Sequence, residues 1–279
     1  MALASASIPD FHLVGPGAGT QGFSFYTYDE DGTNRRENIT DWALEHFRGH
    51  YSDKNITRWD IFHYVYGILH HLEYRSKYAE NLKREMPRIP LAPDFTGFSQ
   101  AGKELARLHL EYEQVEPWPL QYIETTAVGP GLSPDRAARK GGGAVAPMSS
   151  SAAPPSRGHG KSPVGTPALQ RAGLKAGCTV PLSYRVEDKM RLAKDRRSLG
   201  VNDTLTLGGI QPEPFEYRLD NRSALDWVID QYQVTEDKHR GIRSDPNRPD
   251  DPEYIVRLVG QVIRVSVETV KILNALPAL

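Results

Sequence analysis

The residues of this 279-residue chain best equipped for chemistry are cations. The stretch SYRVEDKMRLAKDRR (183–197) carries Arg185, Lys189, Arg191, Lys194, Arg196 and Arg197 against Glu187, Asp188 and Asp195, an excess of three positive charges. Downstream, RLDNRSALDW puts Asn221 and Arg222 at a helix start, and DKHRGIRSDPNR puts Lys238, Arg240 and Arg243 in a loop. A guanidinium grips a guanine edge through two parallel hydrogen bonds, an asparagine amide does the same for adenine, and lysines hold phosphates. These eleven side chains are therefore candidate contacts to double-stranded DNA. A solvated charged face is the alternative.

Other constellations are weaker. Glu236-x-Lys238, with Asp226 and Asp230 upstream, has the residue types of a Mg²⁺ nuclease, in which carboxylates hold the metal and a lysine orients the water. Yet Asp226 and Asp230 read as helical rather than strand-borne, and a turn with paired charges explains them as well. His46 and His50 stand at i and i+4, a spacing that suits a metal, but no third ligand is indicated. His63, His70 and His71 lie near an apolar stripe, where partial burial with a backbone hydrogen bond accounts for them. HLVGPGAGTQG (12–22) is glycine-rich, but a strand-like run follows the glycines instead of preceding them. RGHGKS (157–162) has Pro155 where a phosphate-binding loop needs glycine. No cofactor and no metal is expected.

Elements must position the cations. Thr40 can cap a helix carrying Trp42, Leu44 and Phe47, and Thr57 can cap one with Ile61, Tyr64, Val65, Ile68 and Leu69 on one face. Pro87 and Pro90 end that segment. A third helix starts near Asp94 with the stripe Phe98, Ala101, Leu105, Leu108 and Tyr112. Alternation predicts strands in FSFYTY (23–28), around Met190 and Leu192, and in DTLTLGGI. Asn221 or Ser223 can cap ALDWVIDQY. Asp251 as cap with Pro252 at the first helical position opens a last helix bearing Ile255, Leu258, Val259, Val262 and Val270. Its many β-branched residues make it a poor isolated helix, so packing must hold it.

Between 127 and 177 there is no aromatic residue and one acid, Asp135, a composition too poor in apolar area to offset its ordering entropy. The reading is a disordered insert. The rest is ordinary for a globular protein: 39% hydrophobic, 25% charged, net charge −1, so binding to a polyanion needs a local basic patch. One cysteine, Cys178, forms no disulfide within the chain and fits a reducing compartment, the cytoplasm. No apolar run approaches the roughly 20 residues of a membrane-spanning helix, and the start lacks the pattern of a signal peptide.

Long segments carry a resemblance. DGTNRRENITDWALEHFRGHY, DIFHYVYGILHHLEYRSKYAENLKREMPRIP, YEQVEPWPL, NDTLTLGGI, FEYRLDNRSALDWVIDQYQVTEDK and SDPNRPDDPEYIVRLVGQVIRVSVETV closely resemble the C-terminal specificity domain of Type ISP restriction–modification enzymes, over about 8–124 and 180–273. Members of that family join a nuclease, an ATP-driven translocase and an adenine methyltransferase to a target-recognition domain. The resemblance implies that this chain reads duplex DNA so that a methylase can act on a flipped adenine. The chain begins where the family's recognition region begins, so the nuclease, translocase and methylase parts are expected to be absent here, and the chain by itself to be no enzyme. The segment 127–177 has no counterpart in the family.

The expectation is thus an α+β fold: an opening segment over 1–38, a helical half over 39–126, the insert over 127–178, and a strand-rich half over 179–279 ending in a long helix. Its expected partner is double-stranded DNA. Two alternatives remain: an interaction module docking onto a separately encoded methylase–translocase, and a Mg²⁺ nuclease built on Glu236 and Lys238.

Overall fold

The computed structural model describes residues 2–6, 22–124, 183–219, 221–237 and 240–279. The insert expected over 127–178, the glycine-rich run 12–21 and the RGHGKS segment lie outside the described residues. Within them the fold is α+β, helical before the insert and strand-rich after it, and it ends in a long helix.

The helical half opens on a two-residue antiparallel ladder, β1 (Tyr26–Thr27) with β2 (Arg36–Glu37). It is shorter than the alternation over 23–28 suggested, because the chain turns at Asp29, whose carboxylate accepts from Asn34 and Arg36. Helix α1 (Asp41–Tyr51) starts where Thr40 Oγ1 accepts from the Ala43 amide. Leu44 and Phe47 face the core, but Trp42 does not: it is 73% exposed and stacks on His46. Helix α2 (Arg58–His70) begins with a reciprocal capping box between Thr57 and Asp60. Thr57→Ala removes the side-chain acceptor for the Asp60 amide and is expected to cost about 1 kcal/mol, visible as a lower urea midpoint.

The predicted helix toward Pro87 breaks instead at His71. That residue takes an extended conformation and caps α3 (Leu72–Lys77), its Nδ1 accepting from the Tyr74 amide. The break lets the tyrosines work as tethers. Tyr64 donates to the Pro90 carbonyl and accepts from the Ala92 amide, both at 2.7 Å, while Tyr74 and Tyr51 donate to the carbonyls of Arg88 and Ala92. Each ring fills the core and each hydroxyl satisfies backbone that the prolines keep extended. The stretch 60–90 is thus a scaffold. Trp59 stacks on Phe25 at 3.7 Å yet stays 39% exposed, so it closes the edge of this core. Asp94 caps α4 (Phe95–Leu110), which buries Phe98, Leu105 and Leu108. Tyr112 falls beyond the helix end and is exposed.

The strand-rich half is built on a four-stranded antiparallel sheet in the order β3, β6, β5, β4: β3 (Gln121–Glu124), β4 (Arg191–Leu192), β5 (Ser198–Gly200) and β6 (Leu205–Gly208). Strand β3 precedes the insert, so the sheet joins chain from both sides of it. Alternation puts Leu199, Leu205 and Leu207 on the inner face, fully buried. A 3-10 turn (Glu213–Phe215) leads into the ribbon of β7 (Arg218–Leu219) and β8 (Arg222–Ser223). Then come α5 (Ala224–Gln231), capped by Ser223, and the hairpin of β9 (Thr235–Asp237) and β10 (Ile242–Ser244).

Helix α6 (Tyr254–Asn274) packs Ile255, Val259 and Ile263 against the sheet, and Ile272 and Leu273 against Tyr66 and Leu105 of the helical half. It is apolar on most sides because it joins the two halves. Gln261 Nε2 donates to the Glu113 carbonyl at 2.6 Å, and the Gly260 carbonyl accepts from the Trp118 amide at 2.9 Å. The cap expected at Asp251 is not used. Glu253 occupies that position with no side-chain bond, while the Asp251 carboxylate is drawn to Arg257. Among the described residues no helix is long and apolar enough to cross a membrane.

Candidate nucleic-acid interface

The basic stretch forms the β4–β5 hairpin and its approach. Leu192 pairs with Leu199, the Ala193 amide donates to the Ser198 carbonyl, and the Arg196 amide donates to the Ala193 carbonyl, so 194–197 form a tight tip. Tips of this kind need one residue in the left-handed region, where glycine is the ordinary choice. Here it is Arg196, at φ 59°. Its guanidinium lies 4.1 Å above the Phe215 ring and donates to both carboxylate oxygens of Asp226 at 3.1 Å.

Asp226 and Asp230 sit one turn apart on α5, so their side chains face the same way. Lys189 Nζ reaches Asp230 at 2.6 Å, and Arg222 pairs with its other oxygen. Hydrogen bonds from Lys189 first, and then Arg222, hold the Asp230 carboxyl below the ordinary carboxylate range. Burial pushes the Asp226 carboxyl upward, but hydrogen bonds from Ser223 and the charge of Arg196 outweigh it, and the net displacement is downward. Both carboxylates therefore stay ionised near neutral pH.

A second set of ties holds the β9–β10 hairpin and the loop after it. Asn247 Nδ2 donates to the Val186 carbonyl at 2.7 Å and its Oδ1 accepts from the Val186 amide at 2.8 Å, while Arg185 pairs with Asp245. The Val234 amide donates to the Asp188 carbonyl. Segments distant in the sequence are thereby stitched to the start of the basic stretch.

The predicted contact residues thus divide. Arg185, Lys189, Arg196 and Arg222 are committed to carboxylates of the same chain. Arg191 makes a long 3.4 Å pair with Asp188 while remaining 81% exposed, and Arg240 lies 3.8 Å from Asp237 at the β9–β10 turn. Asn221 is exposed, with its carbonyl accepting from Arg218. Lys194, Arg197 and Arg243 are exposed and make no ion pair among the described residues. Lys238 lies outside the described residues. Lys194 and Arg197 are brought together at the β4–β5 tip, and Arg243 stands on β10 opposite Glu236. The sequence reading missed the partners: Asp226 and Asp230 were weighed as metal ligands, although their i, i+4 spacing on a capped helix next to a basic hairpin was the available signal.

That pairing also bears on the nuclease alternative. Asp226 and Asp230 are held by Ser223, Arg196, Lys189 and Arg222, and Glu236 faces Arg243 across a ladder. Among the described residues no group of three or more His, Cys, Asp or Glu side chains is arranged to hold a metal. Of the histidines read as partly buried beside an apolar stripe, His70 is buried with Nδ1 donating to the Tyr66 carbonyl at 2.8 Å, and His71 is a cap.

Comparison with known proteins places this geometry. The sequence profile of the Type ISP C-terminal specificity domain matches residues 1–258. A search of the curated proteins finds no match. Among solved structures, a DrdV–DNA complex determined by cryoEM is similar at 33% identity and a TM-score of 0.70, over 99% of this chain and 23% of that one. A nuclease-deletion mutant of the Type ISP restriction-modification enzyme LlaGI, in complex with a DNA substrate mimic, is similar at 28% identity and 0.64, over 99% and 19%. The ATP-dependent Type ISP restriction-modification enzyme LlaBIII bound to DNA is similar at 26% identity and 0.61, over 91% and 13%. The chain spans less than a quarter of the length of each of these structures. With a family profile covering nearly the whole chain and a shared fold at 26–33% identity, the chain belongs to the Type ISP C-terminal specificity domain family.

Proposed function

We propose that this chain reads the target sequence in duplex DNA as the specificity module of a cytoplasmic Type ISP restriction–modification system, with no catalysis of its own. The observation that carries this reading is that all three similar structures named above are bound to DNA or to a DNA substrate mimic. The surface supports it. Lys194 and Arg197 at the β4–β5 tip are exposed cations without an ion pair among the described residues, and the exposed Arg191 and Arg243, each near a carboxylate, stand on the same half. An otherwise balanced protein needs such a local patch to bind a polyanion.

Fluorescence anisotropy with a labelled duplex tests the proposal. Log affinity should fall linearly with log salt, because each neutralised phosphate releases counterions. Lys194→Glu combined with Arg197→Glu is expected to weaken binding by about tenfold or more and to lower the salt slope by roughly two. Affinity unchanged by both substitutions would remove the β4–β5 tip from the interface. Duplex cleavage in Mg²⁺ that disappears in Glu236→Ala would instead support the nuclease alternative.

A second reading is docking onto a separately encoded methylase–translocase; in the similar structures this fold is one part of far longer chains. It is supported if the purified chain binds no duplex until that polypeptide is added.

A further inference from the structure

We infer that Arg196 is a positioning residue: latched to Asp226, it fixes the β4–β5 tip so that Lys194 and Arg197 meet the duplex, and it does not itself contact DNA. The inference rests on the DNA-reading proposal and assigns a role within that interface.

Three observations carry it. The first is backbone. Arg196 occupies a left-handed conformation that a residue with a Cβ adopts only when its surroundings over-determine it. A hairpin needing only a turn would be served better by glycine, so arginine here answers a demand on the side chain. The second is the seat of that side chain. Its guanidinium carbon lies 4.1 Å from the Phe215 ring centroid, and the group donates to both oxygens of Asp226, which is itself anchored in the capping box of α5. A planar guanidinium both stacks and donates, as lysine does not. The third is the symmetry of the ties. Lys189, just before β4, is bound to Asp230 one turn further along α5, and Arg222 on β8 joins the same carboxylate. The basic hairpin is therefore fastened to one helix at its base and at its tip. Lys194 and Arg197, on either side of the latch, are left without an ion pair among the described residues.

The electrostatics make the inference discriminating. Two ionised carboxylates beside a surface that meets phosphates weaken non-specific attraction. If Asp226 were incidental, Asp226→Asn would remove a repulsion, release the Arg196 guanidinium and tighten binding. If it is the seat of the latch, the same change loosens the tip and blurs the fit on which sequence discrimination depends.

The experiment is selection from a duplex pool with a randomised core by the full chain, Arg196→Gly, Asp226→Asn and the double variant, alongside salt titrations on the pool. Arg196→Gly suits the left-handed position, so its melting temperature should stay close to that of the parent chain and its loss of function is not loss of fold. The expected result is that each single variant lowers enrichment of the preferred sequence by about tenfold, a change the size of one mismatched base pair. The double variant should lower it no further, because both members of one contact are already gone. The salt slope of Arg196→Gly should match the parent. A slope smaller by about one in Arg196→Gly marks Arg196 as a phosphate contact and overturns the inference. Tighter binding with undiminished preference in Asp226→Asn overturns it as well. A parent chain without any sequence preference overturns the DNA-reading proposal itself, and the positioning role falls with it.

Discussion

Gly102→Ala is expected to destabilise the chain by about 3 kcal/mol or more, lowering its melting temperature by on the order of 10 °C. The reason is the approach of α4 to α2. A Cβ at Gly102 would overlap the His63 carbonyl oxygen outright and stand 2.8 Å from the Gly67 amide nitrogen. The reciprocal Cβ at Gly67 would meet the Phe98 carbonyl oxygen at 2.6 Å. Both obstacles are backbone, so neither can rotate away, and the two helices would have to separate along the line that buries Tyr64 and Phe98. Gly49 on α1 is the internal control. A Cβ there meets nothing within 4 Å among the described residues, and Gly49→Ala should stabilise by about 0.5–1 kcal/mol through helix propensity alone. Urea melts followed by circular dichroism compare the two. Equal midpoints for the chain and Gly102→Ala would show that the helices do not cross so closely.

Acidification from pH 7 to 5 is expected to destabilise the protein by up to about 2 kcal/mol for each of two histidines. His109 of α4 lies where the halves meet: Nδ1 is 2.7 Å from the Tyr66 hydroxyl, Nε2 is 3.1 Å from Thr269 Oγ1 of α6, and the ring stacks on Tyr217. His70 packs 5.5 Å away. Burial, together with the neighbouring His70, drives His109 down to about 3. Burial drives His70 down to about 4, partly opposed by its bond to the Tyr66 carbonyl, with Arg75 contributing in the same direction as burial. Both folded values lie below the ordinary 6.5, so the unfolded chain binds more protons in that interval. The stabilisation is therefore complete above about pH 6.5 and is lost as pH falls toward 4 and then 3. Asp226, Asp230 and Asp245, which are displaced downward from 3.8, lose theirs only at lower pH, so the window from 6.5 to 5 isolates the histidines. His109→Gln should remove a large part of the slope of unfolding free energy against pH in this window, the remainder coming from His70 and from His63, which burial also displaces downward. A slope that is the same in chain and variant would mean that His109 is already hydrated and protonated in the fold.

Much of the scaffold was legible along the chain because it is local. Thr40, Thr57, Asp94 and Ser223 cap the helices that their spacing to the following residues implies, and the stripes Ile61–Tyr64–Ile68 and Leu258–Val259–Val262 are buried. Capping is decided within three residues, and amphipathicity within two turns. The misreadings are of another kind. Trp42 sits on an apolar-looking face that no described residue covers, His71 breaks a helix whose pattern continues, and Asp251 abandons its capping role for Arg257. Each outcome turns on neighbours that the local pattern does not contain.

The same division governs the candidate interface. The sequence by itself determined that this is a Type ISP specificity domain, with cations concentrated over 183–197 and around 222 and 243, because composition and order are properties of the chain. Only the tertiary structure decided which of those cations are spoken for. Asp226 reaches back to Arg196 across 30 residues and Asp230 to Lys189 across 41, and Arg185 finds Asp245 across 60. An ion pair forms where folding brings charges within a few ångströms, and Coulomb attraction depends on separation in space, not on separation along the chain.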